Sequence, residues 1–413
     1  MSILLDFQYN FGQSFSANST FEQILLSALK ISGAERGFIL MGEAEGFEYV
    51  VGMDGDGRIM EESEFMQASQ TVVRQVAATG EDVFMTKGIA GDLAQQDSIV
   101  AMNLRALACL PLKWISPDSE EMEVRGILYL DSTKTMHALS GLDEKILSKL
   151  ALEAGNVFEK LNMLEALEER KVFEKEMALA QETQRTLLPA TLPKIESYEL
   201  RAFSKPTHHV GGDFYDFYDV GTNQLLGVLA DVSGKGVSAA LLSSLLQGVL
   251  DLQFRAGIDT AEALARANLF ICERTQSNRF VTLFLFSLDE NGTGHYLSAG
   301  HNPAYLYRTE DGTIEELRSE NLVLGAFDFA EYSSSPIQLN PGDLLVVYSD
   351  GLTEAENMKG DMFEERRLVN LIQENASKGA EALQTSILDA LENFTQNSAQ
   401  NDDITFLLTE RIK

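Results

Sequence analysis

Cysteine is nearly absent from this chain of 413 residues, which contains two cysteines and one tryptophan. Cys109 and Cys272 lie far apart in apolar surroundings and match no spacing that is typical of a metal site or a redox site. We therefore expect both to be reduced core residues of a cytoplasmic protein.

Basic residues are also few, with 32 Lys and Arg against 63 Asp and Glu and a formal net charge of −31. Nucleic acid and anionic membrane surfaces would be repelled by such a chain, so neither is expected as a partner. Basic proteins and divalent cations remain possible.

Long apolar runs are missing as well. No segment approaches the roughly 18 apolar residues of a membrane span, and the first residues, Met-Ser-Ile-Leu-Leu-Asp, lack a basic region followed by an apolar stretch. The sequence predicts a soluble protein that is not secreted. Its length favours about two or three domains, and its hydrophobic fraction of 45% is ample for globular cores.

Four short acidic segments are present in the last two hundred or so residues. In each, an Asp lies at the end of an apolar, strand-like run, next to glycines that allow backbone and water to approach closely. The segments are Val210-Gly-Gly-Asp-Phe-Tyr-Asp216, Ala230-Asp-Val-Ser-Gly-Lys-Gly236, Tyr348-Ser-Asp-Gly-Leu352 and Asn401-Asp-Asp-Ile-Thr405. Any one of them could be an ordinary turn. Together they predict an oxygen-ligand site for Mg²⁺ or Mn²⁺ rather than zinc, because no His or Cys recurs at a repeated spacing.

These four segments, in this order, resemble those of the metal-dependent protein phosphatases of the PPM superfamily, and in particular the bacterial RsbU/SpoIIE-like branch. The resemblance runs from about Ala180 to Leu408. Further segments that resemble this branch are Gln184-Arg-Thr-Leu-Leu-Pro189, Arg279-Phe-Val-Thr-Leu283, Ala299-Gly-His-Asn-Pro303 and Leu324-Gly325. It implies removal of phosphate from serine or threonine of a regulatory protein, such as an anti-sigma-factor antagonist. The nucleophile would be a water activated by two bound Mn²⁺ or Mg²⁺ ions.

The resemblance also implies which residues bind the metals. Asp213 and Asp231 match the catalytic bridging and paired-site ligands. The Val232 carbonyl and Asp350 match further ligands. Asp402 or Asp403 completes the set, and the register against the family favours Asp402. Asp216 is expected to be structural or to support the ligands.

Eukaryotic relatives place a phosphate-binding arginine before the first metal motif, and this chain has none close by. Lys205 or His209 could assist with the phosphate, although each is more typical of a polar loop. His208 and His209 belong to no recognisable zinc spacing.

An earlier region, from Phe21 to about Glu159, passes from helical periodicity to strand-like runs and back to a helix from Asp143. Its segments Glu35-Arg-Gly-Phe-Ile-Leu40, Leu104-Arg-Ala-Leu-Ala-Cys-Leu-Pro-Leu112 and Gly126-Ile-Leu-Tyr-Leu-Asp-Ser132 resemble a GAF domain, a small sensory and dimerising module. The domain could bind a small molecule or serve only for dimerisation, and both alternatives stay open. His137 is expected at the surface rather than as a haem ligand.

Between these regions, Glu153 to Leu188 is rich in Glu, Lys, Leu and Ala and predicts one long helix. Ala154, Val157, Leu161 and Leu164 have the spacing of a coiled-coil seam. The charged stretch Glu168-Glu-Arg-Lys171 interrupts the seam, which resumes from Phe173 in a shifted phase, as at a stutter or hinge. The alternative is an exposed helix that packs on its own domain. Pro189 and Pro193 then end the helix.

The region after Pro193 predicts short consecutive strands and paired helices, which favours an antiparallel α+β fold. This agrees with the αββα sandwich that the resemblance implies. We therefore predict a GAF sensory domain at 1–155, a coiled-coil signalling helix at 156–188 and a phosphatase domain at 189–413. A coiled-coil seam of this kind would make the protein a homodimer, with the GAF domain controlling the phosphatase through the helix.

Two rival interpretations remain. Gly234-Lys-Gly-Val-Ser-Ala239 fits the loose dinucleotide pattern G-x-G-x-x-A, but the antiparallel context lacks the βαβ unit that this pattern requires. The second rival is a catalytically silent, phosphatase-like scaffold that senses a ligand and docks a partner protein. The loss of a metal ligand would favour it, and all the expected aspartates are present.

Overall fold

The structure, a computed structural model, describes residues 17–43, 46–65, 69–86, 104–115, 122–133, 141–219, 224–275, 279–318, 321–396 and 398–413. His137 lies outside the described residues. The chain divides into two compact units, Met1–Val172 and Phe173–Lys413. Each unit is described by itself.

The first unit is built on a five-stranded antiparallel sheet in the order β2-β1-β5-β4-β3. Its elements are α1 (Ala17–Ser32), β1 (Arg36–Glu43), β2 (Gly46–Asp54), α2 (Glu62–Phe65), α3 (Gln70–Thr79), β3 (Val83–Thr86), β4 (Ala106–Ile115), β5 (Met122–Ser132) and the first part of α4 (Gly141–Leu187). One apolar core, which includes Ile24 of α1 and Leu150 of α4, covers one face of the sheet. A second core, which includes Val72 and Val76 of α3, covers the other face.

Two of the segments that resemble a GAF domain are neighbouring strands in this sheet. Arg36 begins β1 and lies opposite Asp131 of β5. The guanidinium of Arg36 donates to the Asp131 carboxylate from Nε at 2.6 Å and from Nη2 at 3.0 Å, and this carboxylate is buried. A buried carboxylate needs such a partner, so the pair fixes the two strands to each other.

Helix α4 joins two helices that the sequence predicts separately, one from Asp143 and one from Glu153 to Leu188. It is a single helix from Gly141 to Leu187. The charged stretch from Glu168 to Lys171 remains helical, because Glu, Arg and Lys are good helix formers. The predicted change of phase is therefore not a break in the backbone.

The second unit contains two five-stranded sheets. Besides the end of α4, its elements are β6 (Tyr198–Lys205), β7 (Phe214–Asp219), β8 (Leu225–Val232), α5 (Val237–Arg255), α6 (Thr260–Arg274), β9 (Val281–Leu288), β10 (Thr293–Ala299), β11 (Ala304–Tyr307), β12 (Ile314–Leu317), β13 (Ser335–Gln338), β14 (Leu344–Tyr348), α7 (Asp350–Thr353), α8 (Glu364–Asn375), α9 (Ala380–Thr395) and β15 (Ile404–Arg411). The sheet orders are β13-β10-β9-β8-β7 and β12-β11-β14-β15-β6. The pairings between these named strands are antiparallel.

Three apolar cores hold these layers together. One lies between the sheets and includes Phe284 and Leu407. Another packs α5 and α6 on the first sheet, and the third packs α8 and α9 on the second sheet. The predicted antiparallel α+β fold with an αββα sandwich is confirmed.

The prediction that both cysteines are core residues is half wrong. Cys109 is buried in β4, but Cys272 is only half-buried in α6, and both are free thiols. Ile271 lies on the buried stripe of α6. The next residue is rotated by about 100° around the helix, which turns Cys272 away from the core.

Helix α5 is the one described helix that is long and apolar enough to cross a membrane by length and composition. One face of it, including Leu246 and Leu250, is buried in the core against the first sheet. A core helix of a globular domain passes the same test.

Candidate metal centre

The acidic motifs meet because of the strand registers. In the first sheet Phe214 of β7 lies opposite Ala230 of β8, so the residues one step further along, Asp213 and Asp231, lie side by side at the sheet end. In the second sheet Tyr348 lies opposite Phe406. Asp350 therefore follows β14 at the same end at which Asp402 and Asp403 lead into β15.

Asp213 and Asp231 form the buried centre of this group. Burial, followed by the charge of Asp231, raises the pKa of Asp213 well above its ordinary value. Burial also raises the pKa of Asp231 to about 7, with further contributions from Asp350, Asp402 and Asp403. The Oδ2 atom of Asp213 is buried and has no hydrogen-bond partner. Full ionisation of this group of carboxylates is therefore unfavourable without a cation or a proton.

Asp350 begins the short helix α7 directly after β14. Its pKa is raised by burial, then by the charges of Glu354 and Asp402, whereas Lys235 lowers it. The Asp402 carboxylate therefore lies close enough to Asp350 to raise its pKa, although the two residues are far apart in sequence.

Asp402 and Asp403 have different partners. The Nζ of Lys235 lies 2.9 Å from Oδ2 of Asp402 and also donates to the carbonyl of Asn401. The carboxylate of Asp403 accepts backbone N–H groups from Thr207 at 2.7 Å, Gly212 at 2.6 Å and Asp213 at 3.4 Å. Asp403 thus holds the loop that carries Asp213, whereas the Asp402 carboxylate pairs with Lys235 and accepts the N–H of Asp403 at 2.9 Å.

Glycine is required where these segments touch. A Cβ on Gly212 would lie 2.9 Å from the carbonyl oxygen of Val232, and one on Gly351 would lie 2.0 Å from the carbonyl oxygen of Asp403. Both distances are shorter than real Cβ contacts. The Gly212 contact also brings the Val232 carbonyl beside the Asp213 loop.

As they stand, no three His, Cys, Asp or Glu side chains in the described part of the chain lie in an arrangement that would hold a metal ion. Two of the acidic residues are engaged elsewhere, Asp402 with Lys235 and Asp403 with backbone amides. The charges of the remaining carboxylates nevertheless act on one another, as the pKa of Asp231 shows. The carboxylates are gathered at one place without forming a closed ligand set.

Other residues named from the sequence have supporting positions. Asp216 accepts hydrogen bonds from the Phe217 amide at 2.8 Å and from Nε2 of Gln247 at 3.2 Å, which fits the expected structural role. Lys205, His208 and His209 are exposed around the loop between β6 and β7.

Sequence reasoning gave Lys235 no role at the metal site and left Arg279 and Gln184 without a specific one. Arg279 donates to the Ser233 carbonyl at 2.7 Å and to Oγ of Ser238 at 2.9 Å, which braces the loop between β8 and α5. Gln184 pairs with the backbone of Gly211. Arg279 and Gln184 both lie in segments that resemble the phosphatase branch, and this resemblance is the feature of the sequence that could have identified them.

Comparison with known families divides the chain in two. The Stage II sporulation protein E (SpoIIE) family matches residues 221–412, and the GAF domain family matches residues 16–158. The GAF resemblance predicted from the sequence is confirmed.

Curated relatives match a little over half of the chain. Phosphoserine phosphatase RsbU of Bacillus subtilis is 31% identical over 239 residues, which cover 57% of this chain and 70% of RsbU. Phosphoserine phosphatase RsbP of the same organism is 22% identical over 241 residues, covering 57% of this chain and 58% of RsbP.

Among solved structures, the SiaA-PP2C domain of Pseudomonas aeruginosa superimposes with a TM-score of 0.52 at 23% identity, covering 59% of this chain and 99% of that domain. This likeness shows the fold. Together with the identity to RsbU and the SpoIIE match, it leads to one conclusion: the chain belongs to the RsbU/SpoIIE family of PP2C-type, metal-dependent serine/threonine phosphatases, and carries a GAF domain.

Proposed function

We propose that this protein removes phosphate from phosphoserine or phosphothreonine of a cytoplasmic regulatory protein, such as an anti-sigma-factor antagonist, and that its GAF domain controls this activity through α4. The observation that carries the proposal is the gathering of Asp213, Asp231, Asp350 and Asp402 at one end of two packed sheets. The identity to RsbU, named a phosphoserine phosphatase, supports the choice of substrate class.

The donor set fits hard dications. Asp213 has a buried carboxylate oxygen without a partner, and burial followed by the charges of the surrounding carboxylates raises the pKa of Asp231. Oxygen ligands of this kind suit Mg²⁺ or Mn²⁺, and a dication would offset the repulsion. Asp213, Asp231, the Val232 carbonyl, Asp350 and Asp402 would hold two ions. When bound, they would supply a nucleophile from water at neutral pH and offset charge on the phosphoryl oxygens.

The residues around these ligands have separate tasks. Asp403 holds the Asp213 loop by its backbone amides. Lys235 keeps Asp402 near the site and neutralises it until a metal competes for the same oxygen. Arg279 holds the Ser233 carbonyl and so steadies the chain directly after Val232. The assignment of Asp402 rather than Asp403 as a ligand is favoured by this division.

Dimerisation through α4 is supported by apolar side chains that face solvent. Large hydrophobic residues along this helix are exposed by 41% to 64%, and they are Met163, Leu164, Leu167, Val172, Phe173 and Leu179. A solvated helix rarely carries so many of them unless another helix covers them. Of the residues with coiled-coil spacing, Ala154 is buried in the core of the first unit and Leu161 packs against that core, whereas Leu164 is exposed. We infer a parallel homodimer in which the second copy covers α4 from Leu164 onward.

A catalytically silent scaffold is the rival function. The observation in its favour is that no three acidic side chains among the described residues are arranged to hold a metal as they stand. The presence of all the expected aspartates and the buried, unpartnered oxygen of Asp213 argue against it. Turnover in the presence of metal separates the two functions.

The first prediction concerns metal-dependent turnover. The protein should release phosphate from a phosphoserine or phosphothreonine peptide with Mn²⁺ or Mg²⁺, and excess EDTA should stop it. Asp231→Asn and Asp350→Asn should each lower activity by more than about 100-fold, because loss of a ligand should cost more than loss of a supporting residue. Asp311→Asn, on an exposed turn, is the matched control. Full activity in EDTA would refute the proposal.

The second prediction separates Asp402 from Asp403. Asp402→Ala should raise the Mn²⁺ concentration needed for half-maximal activity much more than Asp403→Ala does. Asp403→Ala should instead lower the melting temperature more, because it leaves three backbone N–H groups without their acceptor. Metal titrations of activity and thermal melts of both variants measure this. The reverse order would show that Asp403 is the ligand.

The third prediction concerns pH. The pKa of Asp231, raised from 3.8 to about 7, means that the metal-free folded protein retains a proton that the unfolded chain loses. This contribution to stability is fully present below about pH 4 and is lost as the pH rises through about 7. In EDTA, the melting temperature should therefore fall between pH 5 and pH 8. Asp231→Asn should make that fall shallower, and Mn²⁺ should reverse it in the wild type. An equal slope in wild type and variant would contradict the assignment.

The fourth prediction concerns the helix. The heptad that begins at Ala154 places Glu168 and Lys171 at its core positions, so Glu168→Leu with Lys171→Leu should tighten a dimer and fix one activity level. Glu169→Leu with Arg170→Leu, at outward positions of the same heptad, is the control with the same change in charge. Sedimentation and phosphatase assays measure both. A monomer at micromolar concentration, or unchanged basal and regulated activity in the core-position variant, would refute the dimer.

A further inference from the structure

We propose that Gln184 is a positioning residue of the phosphatase: its side-chain amide clamps the backbone of Gly211 and thereby sets the position of Asp213. The inference rests on the proposed function, since it names how that metal site is held in place and what part of α4 acts on it. Gln184, Gly211 and Asp213 all belong to the second unit.

The contact is a pair of hydrogen bonds that uses both ends of one amide. Nε2 of Gln184 donates to the Gly211 carbonyl at 2.7 Å, and the Gly211 N–H donates to Oε1 of Gln184 at 3.1 Å. Donor and acceptor of an amide lie in one plane with fixed spacing. The pair therefore forms at only one distance and one orientation of the helix relative to the loop.

Gly211 lies two residues before Asp213, and the same loop is held from its other side by Asp403. The Asp403 carboxylate accepts the N–H groups of Gly212 and Asp213. The buried Oδ2 of Asp213 has no partner of its own. The place of that oxygen thus depends on the loop backbone, which Gln184 and Asp403 hold between them.

The last residues of α4 after Gln184 do not contact the backbone of the Gly211 loop through the hydrogen bonds that they make among the described residues. The Leu187 carbonyl accepts a hydrogen bond from Nε2 of Gln247 at 2.7 Å, and the same nitrogen donates to Asp216. This ties the end of α4 to α5 and β7 but leaves the Gly211 loop untouched. A cavity of about 1070 Å³ is lined both by the helix end, including Arg185, and by residues around the loop, including His209 and Tyr215.

The clamp is sensitive to rotation of α4. Because the Cα atoms of a helix lie about 2.3 Å from its axis, a turn of about 30° moves the Cα of Gln184 by about 1.2 Å and its amide by more. If the side chain keeps its rotamer, a shift of this size lengthens both hydrogen bonds beyond about 3.5 Å. A change in how the exposed apolar side of α4 is covered would then release or restore the Asp213 loop.

The test compares Gln184→Met, which keeps the length of the side chain but removes both hydrogen bonds, with Gln181→Met as control. Gln181 is exposed one turn earlier on α4 and has no side-chain hydrogen bond among the described residues. Gln184→Glu retains an acceptor for the Gly211 N–H and should be intermediate. The readouts are Mn²⁺ binding without substrate, hydrogen exchange of the segment 207–214, and phosphatase activity in the full chain.

We expect Gln184→Met to weaken Mn²⁺ binding and raise the half-saturating Mn²⁺ for activity by about tenfold, as loss of two hydrogen bonds allows. Exchange in 207–214 should be faster, while kcat at saturating Mn²⁺ stays near wild type. A residue with only a structural role would lower the melting temperature and leave metal affinity unchanged.

Equal Mn²⁺ affinity and equal exchange in Gln184→Met and Gln181→Met would overturn the inference even if the wild type is an active phosphatase. If the wild type neither binds Mn²⁺ nor releases phosphate, the proposed function fails instead. Hydrogen exchange then still decides the clamp: faster exchange in Gln184→Met supports it, and unchanged exchange overturns it.

Discussion

Repulsion between buried carboxylates is the constraint on which the catalytic unit depends. Asp213 and Asp231 are forced together by the pairing of β7 with β8, and the charges of Asp350, Asp402 and Asp403 add to the raised pKa of Asp231. Such a group is unfavourable without a cation or a proton, so the surrounding fold must stabilise it. The apolar cores between the sheets and under the helices provide that stabilisation. The buried carboxylates thus lower the folding stability of the unit at the place where a dication would bind.

The local elements were predictable because their signals are local. Apolar periodicity and breakers in the sequence predict helices over about 238–256, 261–275 and 380–394, and α5, α6 and α9 begin and end within about one residue of these bounds. The boundary inside α4 was not predictable. The sequence between Asp143 and Leu187 contains no proline, and its one glycine, Gly155, lies inside the helix, where its missing side chain lets α4 approach the Lys113 carbonyl. The end of one predicted helix and the start of the next therefore have no physical counterpart.

The candidate site was predictable in its residues but not in its contacts. The aspartates could be named because each follows an apolar run and adjoins glycine. Which group each one meets depends on pairings across the fold, such as Lys235 with Asp402 and Gly212 with Asp403. A single sequence contains no local signal for those pairings. Asp402 and Asp403 are adjacent in sequence, and their tasks differ because Asp403 accepts the amides of Gly212 and Asp213 whereas Asp402 pairs with Lys235.

Activity at such a site could be controlled by a small change in the free energy with which the Asp213 loop is held. If Asp213 binds metal as proposed, repulsion between the carboxylates opposes its position, and each hydrogen bond that holds its loop would affect metal affinity. Asp403 holds the loop from within the catalytic fold, whereas Gln184 holds it from the helix that continues from the GAF domain. On the proposed control through α4, a regulator would have no need to deform the sheets. It would have only to move one amide by about an ångström, which is the scale on which a hydrogen bond is lost.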